Sequence, residues 1–184
     1  MALTGDSRSG FYSHPMDIIT PLRKAEESGK KVILIGVSFA LMELAETASF
    51  SLRNTRIIET GGMKGNRREL TRKELHSLLC SGFGVDGILS EYGMTELLSQ
   101  AYSTTQGLFR CPDWMRVMIR QTSDPLSFEP NGKTGGINVI DLANVYSCPF
   151  IATDDLGRLH DNGSFEVLGR FDQSEVRGCN LMAS

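Results

Sequence analysis

Lys31-Val32-Ile33-Leu34-Ile35-Gly36 is a short, unbroken apolar run that follows a charged, helix-like segment. Its length and β-branched content mark it as a buried strand, because a strand covered on both faces needs no polar alternation. Residues 39–48, FALMELAETA, come next and are mostly good helix formers. A second strand is expected over 55–59, stopped by Gly61-Gly62. Thr71 and Glu74 stand at capping-box spacing, so a helix is predicted over 71–80, closed by Gly82 and Gly84. Gly87-Ile88-Leu89-Ser90 reads as a third short strand. This alternation predicts an α/β fold in which a mostly parallel sheet carries flanking helices.

After about residue 112 the texture changes. Residues 114–121, WMRVMIRQ, alternate as a strand does, and Asp124-Pro125 and Pro130-Asn131-Gly132 punctuate turns. Gly136-Ile137-Asn138-Val139-Ile140 is another strand, and residues 156–169 read as a hairpin about Asp161-Asn162-Gly163. We therefore expect an incomplete α/β subdomain over 1–111. An antiparallel β-subdomain over 112–184 is expected to follow, ending in a thiol-bearing segment.

The 184 residues amount to one domain, or one domain with a small appendage. With 40% hydrophobic and 22% charged residues, the chain has the composition of an ordinary globular protein. A net charge of −3 gives no reason to expect a nucleic-acid partner. Arg67, Arg68, Arg72 and Lys73 do cluster, but Glu69 and Glu74 are interleaved with them, as on a solvated helix face. No apolar run is long enough for a membrane span, and the polar N-terminus does not read as a secretory signal. Cys80, Cys111, Cys148 and Cys179 have no paired spacing, so neither a zinc site nor a disulfide framework is expected. A cytoplasmic location is the expectation.

Three stretches offer chemistry. Ser38 lies between a strand and a helix, the context of a hydrolase nucleophile, and Asp154 or Asp155 and His160 follow in the order Ser, Asp, His. The turn has Ala40 where a glycine belongs, and the Asp and His fall too close together, so Ser38 reads as a small polar residue ending a strand. In Ser90-Glu91-Tyr92-Gly93-Met94-Thr95-Glu96, Tyr92 offers a flat face for a purine and Gly93 lets a ligand approach the backbone. Thr95 suits a phosphate oxygen and Glu96 suits Mg²⁺. In Thr153-Asp154-Asp155-Leu156-Gly157, a carboxylate can accept both hydroxyls of a ribose. Taken singly, each stretch also reads as an ordinary loop or turn cap.

Taken in order, Tyr92-Gly93-Met94-Thr95-Glu96, Thr153-Asp154-Asp155-Leu156-Gly157 and Gly169-Arg170-Phe171-Asp172 resemble the successive core motifs of the acyl-adenylate-forming superfamily. Gly61-Gly62 is similar to its glycine-rich adenine-pocket turn. The wider stretches ETGGMKGNRREL, SEYGMTELLSQAYS and EVRGCNLM look closest to bacterial acyl-protein synthetases of the LuxE type.

The resemblance implies part of an adenylate-forming N-terminal domain. It implies a ligase that activates a fatty or other carboxylic acid with ATP to acyl-AMP, then passes the acyl group to a thiol. Carried over, Gly61 and Gly62 line the adenine pocket, Tyr92 stacks on the base, Gly93 lies against the nucleotide, Thr95 contacts the α-phosphate and Glu96 holds Mg²⁺. Asp155 takes the ribose hydroxyls, Arg170 reaches the nucleotide, and Asp172 matches a hinge position. Cys179 would carry the acyl group as a thioester. An acyl-accepting reductase or CoA is the implied partner.

The chain departs from the superfamily in having Asp154 where glycine is usual and in lacking a convincing Ser/Thr/Gly-rich phosphate loop. The mobile C-terminal domain with its catalytic lysine is expected to be absent, as the resemblance to the LuxE type implies. The expectation is therefore the C-terminal part of a longer enzyme, inactive alone, whose open edges favour self-association. A phenylacetate-CoA ligase relative and a non-catalytic partner module are the alternatives.

Overall fold

The computed structural model describes residues 9–61, 70–104 and 106–171. They fall in two compact units, Met1–Leu89 and Ser90–Ser184.

The N-terminal unit opens with a 3-10 turn and helix α1 (Ile19–Glu27). The apolar run forms strand β1 (Val32–Val37), paired in parallel with β2 (Thr55–Thr60) so that Leu34 sits opposite Ile57. Helix α2 (Ser38–Thr47) starts directly where β1 stops and buries Leu41, Met42 and Leu44. Helix α3 (Arg72–Phe83) begins at the expected capping box: the Thr71 hydroxyl accepts from the Glu74 amide, and the Glu74 carboxylate accepts from the Thr71 amide. Such reciprocal capping satisfies two amides that the first helical turn leaves without partners. Leu34, Ile57, Leu79, Phe83 and Ile88 form the heart of this unit's core. On the opposite face of β1, Ile33, Ile35 and Val37 stay exposed, so the strand is covered on one face and not on both as its unbroken apolar run predicts.

One helix end departs from expectation. Gly82 does not stop α3 but lies within it, and Gly84 closes the helix in a left-handed conformation. Gly82 is needed for proximity: a Cβ there would stand 2.6 Å from the Cβ of Ala45 on α2. The glycine thus lets two helices approach rather than ending one of them.

The C-terminal unit is antiparallel. Strands β3 (Leu89–Tyr92), β4 (Ala101–Ser103) and β5 (Phe109–Arg110) lead to β6 (Met115–Arg120), β7 (Thr134–Asp141), β8 (Phe150–Leu159) and β9 (Phe165–Arg170). Their spatial order is β3-β4-β5-β9-β8-β7-β6. The hairpin expected about Asp161-Asn162-Gly163 joins β8 to β9, with Leu159 facing Phe165. Because β3, β4 and β5 continue through Phe109–Phe165 pairing into β9, they belong with this unit. The division therefore falls at Leu89/Ser90, ahead of the 111/112 boundary expected from sequence texture. Phe109, Phe165, Ile137 and Val139 are its largest fully buried apolar side chains. The α/β class, with parallel strands and helices followed by antiparallel strands, is as read from the sequence. Among the described residues, no helix is long and apolar enough to cross a membrane.

Candidate functional site

In the N-terminal unit, Ser38 is the first residue of α2 and is only 1% exposed. Its hydroxyl lies 2.8 Å from both Glu59 Oε2 and the Gly61 carbonyl oxygen. Such a hydroxyl is an internal brace and not an exposed nucleophile. Glu59 Oε1 lies 3.7 Å from His76 Nε2. Burial pulls the Arg72 guanidinium below its ordinary value, and the Glu59 carboxylate opposes that pull. The braced carbonyl belongs to the residue that turns the chain out of β2: Gly61 has φ +73°, a region that side-chain-bearing residues enter at a cost. Gly62 lies outside the described residues.

In the C-terminal unit, two of the sequence motifs meet. Tyr92, at the end of β3, donates its hydroxyl to Asp155 Oδ2 on β8 at 2.8 Å. The ring is buried and packs edge-on against Phe165 and Phe109, with centroids 5.6 and 6.0 Å away, so the face expected to stack on a base is taken up by the core. Burial, then the facing Asp155 carboxylate, push the phenol far above its ordinary value, so it remains a donor at neutral pH. Asp155 is half-buried, and its amide donates to Thr153 Oγ1. Thr153 in turn donates to the Ile137 carbonyl, so a chain of hydrogen bonds fixes the β8 carboxylate against β7.

Sequence reading missed Arg120. From β6 its guanidinium donates to the Ile137 carbonyl, Asn138 Oδ1 and the Thr153 carbonyl, at 3.0, 2.8 and 2.7 Å. It also lies 5.2 Å from the centroid of the Phe171 ring. The planar fork thus ties β6, β7 and β8 together, meeting β8 two residues before Asp155. Asp154, the residue standing in place of glycine, turns its side chain to solvent and meets Arg170 at 3.4 Å. Asp172 and Cys179 lie outside the described residues.

Gly93, Thr95 and Glu96 are exposed on the loop after β3, where the Leu97 amide closes a turn on the Met94 carbonyl. The loop is held by groups that no motif named. Asp141, at the end of β7, is fully buried, and its carboxylate accepts from the amides of Leu98, Ser99 and Ala143 and from the Ser99 hydroxyl. Burial alone would raise that carboxyl, but the donors outweigh it and hold the group below the ordinary carboxylate range. Asn144 donates from Nδ2 to the carbonyls of Glu96 and Cys148. The one signal in the sequence was the Asp-Leu-Ala-Asn run at a strand end, a composition shared by any capped turn.

Among the described residues, no group of three or more His, Cys, Asp and Glu could hold a metal ion. An exposed carboxylate beside a hydroxyl, as at Glu96 and Thr95, still fits Mg²⁺, which commonly takes one or two carboxylates and completes its shell with phosphate oxygens and water. Of the other thiols, burial pushes Cys111 up to about 11, and burial followed by Asp86 raises Cys80, so neither is poised as a thiolate.

The family model for acyl-protein synthetase, LuxE, matches residues 7–184. The long-chain-fatty-acid–luciferin-component ligase of Vibrio harveyi is 27% identical over 183 residues, covering 89% of this chain and 47% of that protein. The chain thus spans about half the length of the curated relative it matches. ATP-bound MatB from Rhodopseudomonas palustris superposes with a TM-score of 0.63 at 17% identity, over 85% of this chain and 33% of that one. O-succinylbenzoate coenzyme A synthetase from Bacillus subtilis, in complex with AMP, gives a TM-score of 0.60 at 21% identity, over 86% and 34%. At these identities the likeness is one of fold, and it extends over about a third of each of those chains.

Proposed function

Because the chain belongs to the LuxE acyl-protein synthetase family, we propose that it supplies nucleotide-handling and acyl-carrying residues to a ligase that couples a fatty acid to a cysteine thiol through acyl-AMP. The fatty-acid class comes from the name of the Vibrio harveyi relative. The observation that carries the reading is the Tyr92–Asp155 hydrogen bond, because it joins two motifs that lie 63 residues apart in the chain. The bond supports a single site because it fixes the end of β3, from which the Thr95-Glu96 loop leaves, against the Asp155 carboxylate.

In the proposed first step, a carboxylate oxygen of the acid attacks the α-phosphorus of ATP. The bond from that phosphorus to the bridging oxygen breaks, and pyrophosphate leaves. Asp155 accepts the ribose hydroxyls, its orientation set by the Tyr92 hydroxyl and the Thr153 network. Thr95 donates to an α-phosphate oxygen as negative charge gathers there. Glu96 is the residue to hold Mg²⁺, which when bound neutralises phosphate charge. Gly93 leaves backbone open to the base, and Arg170 adds a positive charge near the nucleotide. From the resemblance we add Gly61 and Gly62 as backbone that a base can approach.

In the second step, the Cys179 sulfur attacks the acyl carbonyl carbon. The bond from that carbon to the AMP oxygen breaks, AMP leaves, and the thiol proton passes to solvent. A nucleophile of a reductase or the thiol of CoA then attacks the thioester carbonyl carbon. The bond from that carbon to the Cys179 sulfur breaks, and the Cys179 thiol is restored by the acceptor's proton.

The nucleotide assignment is tested by calorimetry with AMP. Binding is expected, and Asp155→Ala should weaken it by about 1.5–3 kcal/mol through loss of charged hydrogen bonds. No detectable binding at millimolar AMP removes the assignment. The thiol assignment is tested with preformed acyl-AMP bearing a labelled chain, which bypasses the ATP step. The protein should take up label that neutral hydroxylamine releases, and Cys179→Ser should take up none. Hydroxylamine-labile label on the serine variant places the thioester elsewhere.

A further inference from the structure

We infer that Asp141 and Asn144 position the Thr95-Glu96 turn, so that the connection leaving β7 sets the direction in which Thr95 meets a nucleotide phosphate. The inference rests on the nucleotide reading above and adds residues to it that belong to none of the family motifs.

The turn has little of its own to hold it. Thr95 and Glu96 are both exposed, so their side chains gain no packing, and the turn is closed locally by the 3.1 Å bond from the Leu97 amide to the Met94 carbonyl. The restraint comes from across the unit. Asn144 Nδ2 grips the Glu96 carbonyl at 2.8 Å and the Cys148 carbonyl at 3.0 Å. Asp141 Oδ2 accepts from the Leu98 amide at 2.9 Å and the Ser99 amide at 2.8 Å. Its Oδ1 accepts from the Ser99 hydroxyl at 2.7 Å and the Ala143 amide at 3.1 Å. The Ser99 oxygen, having donated its proton to Asp141, accepts from the Trp114 indole at 2.9 Å.

The proton inventory closes at both groups. A carboxylate has room for four donors and receives four, while an asparagine amide has two protons and places both on carbonyls. Backbone held at residue 96 and again at 98 and 99 leaves the two exposed side chains few directions to point. A phosphate contact gains from that restraint, because the ordering has been completed before the ligand arrives. Ribose recognition at Asp155 depends on a separate network through Tyr92 and Thr153, so the two halves of a nucleotide are predicted to respond differently when the clamp is cut.

The test is Asn144→Ala, titrated in parallel with adenosine and AMP and followed by amide hydrogen exchange. Adenosine affinity should stay within about twofold while AMP affinity falls about five- to tenfold, because only AMP carries the phosphate. The Leu97 amide should exchange at least about tenfold faster. Trp114→Phe removes a single donor at the edge of the network and should give the same pattern at smaller size, deciding the matter if Asn144→Ala does not fold. Thr95→Val is the control, losing AMP affinity with no change in exchange.

Equal losses for adenosine and AMP overturn the inference. Faster exchange with AMP affinity intact also overturns it, since the clamp is then only a structural brace. If the unaltered protein binds neither ligand, the nucleotide reading fails and takes the inference with it. If it binds both equally, only the phosphate role of Thr95 and its clamp are lost.

Discussion

Ser38 and Asp141 are buried polar groups at the two ends of the same problem, one in each unit. Asp141 offers two oxygens to four donors, and each donor has an acceptor. Ser38 offers one proton to two acceptors, Glu59 Oε2 and the Gly61 carbonyl, at equal distances of 2.8 Å. One of those contacts is always made without a serine proton. The difference teaches that the worth of a buried polar group follows from the match of donors to acceptors and not from the number of short distances. Asp141 should therefore be hard to replace, and Ser38 comparatively easy.

The largest effect is expected at Asp141. Asp141→Ala strands the amides of Leu98, Ser99 and Ala143 and the Ser99 hydroxyl, and should lower stability by about 3–4 kcal/mol. Urea unfolding reads this directly. The same group predicts a pH response. Its folded carboxyl lies below the ordinary value of 3.8, so the stability it contributes is present above the unfolded value. That stability is lost as pH falls through the folded value. Asp141→Asn, which cannot titrate, should flatten the acid limb of the stability profile. Acid limbs that superimpose would break the comparison at its stronger end.

What was legible in the sequence was local. The Thr71–Glu74 capping box and the Asp161-Asn162-Gly163 hairpin each lie within a few residues, and both form as read. The apolar run of β1 was legible as a strand but not as a half-exposed one. Leu34 is buried while Ile33, Ile35 and Val37 on the other face are exposed, so an unbroken apolar run did not report burial on both faces. The extension of α3 through Gly82 was not legible, because Ala45 of another helix decides it. Strands β4 and β5 are too short to show a period, which hid the link from β3 to β9 and shifted the apparent boundary between units. At the candidate site, the motifs supplied Tyr92 and Asp155 separately but not the bond between them. Asp141, Asn144 and Arg120 were invisible for a related reason: each bonds to a segment distant in sequence, and no local spacing encodes such partners.

The smallest effect is expected at Ser38. Removing its hydroxyl costs at most one donated hydrogen bond, while both acceptors remain. Ser38→Ala should therefore lower stability by about 1 kcal/mol, the net worth of an ordinary buried hydrogen bond. Alanine also suits the first turn of α2, since it has the highest helix propensity, and no cap is lost because Ser38 lies one position inside the helix and makes no capping bond. What the substitution should change is the Gly61 turn. The carbonyl of Gly61 loses the donor it shares with Glu59, so exchange and chemical shifts should move around residues 59–61 and leave α3 undisturbed. The ratio between the two sites decides the argument. A loss at Ser38→Ala as large as that at Asp141→Ala means that the hydroxyl proton is not divided between two acceptors, and the contrast drawn between the units fails at Ser38.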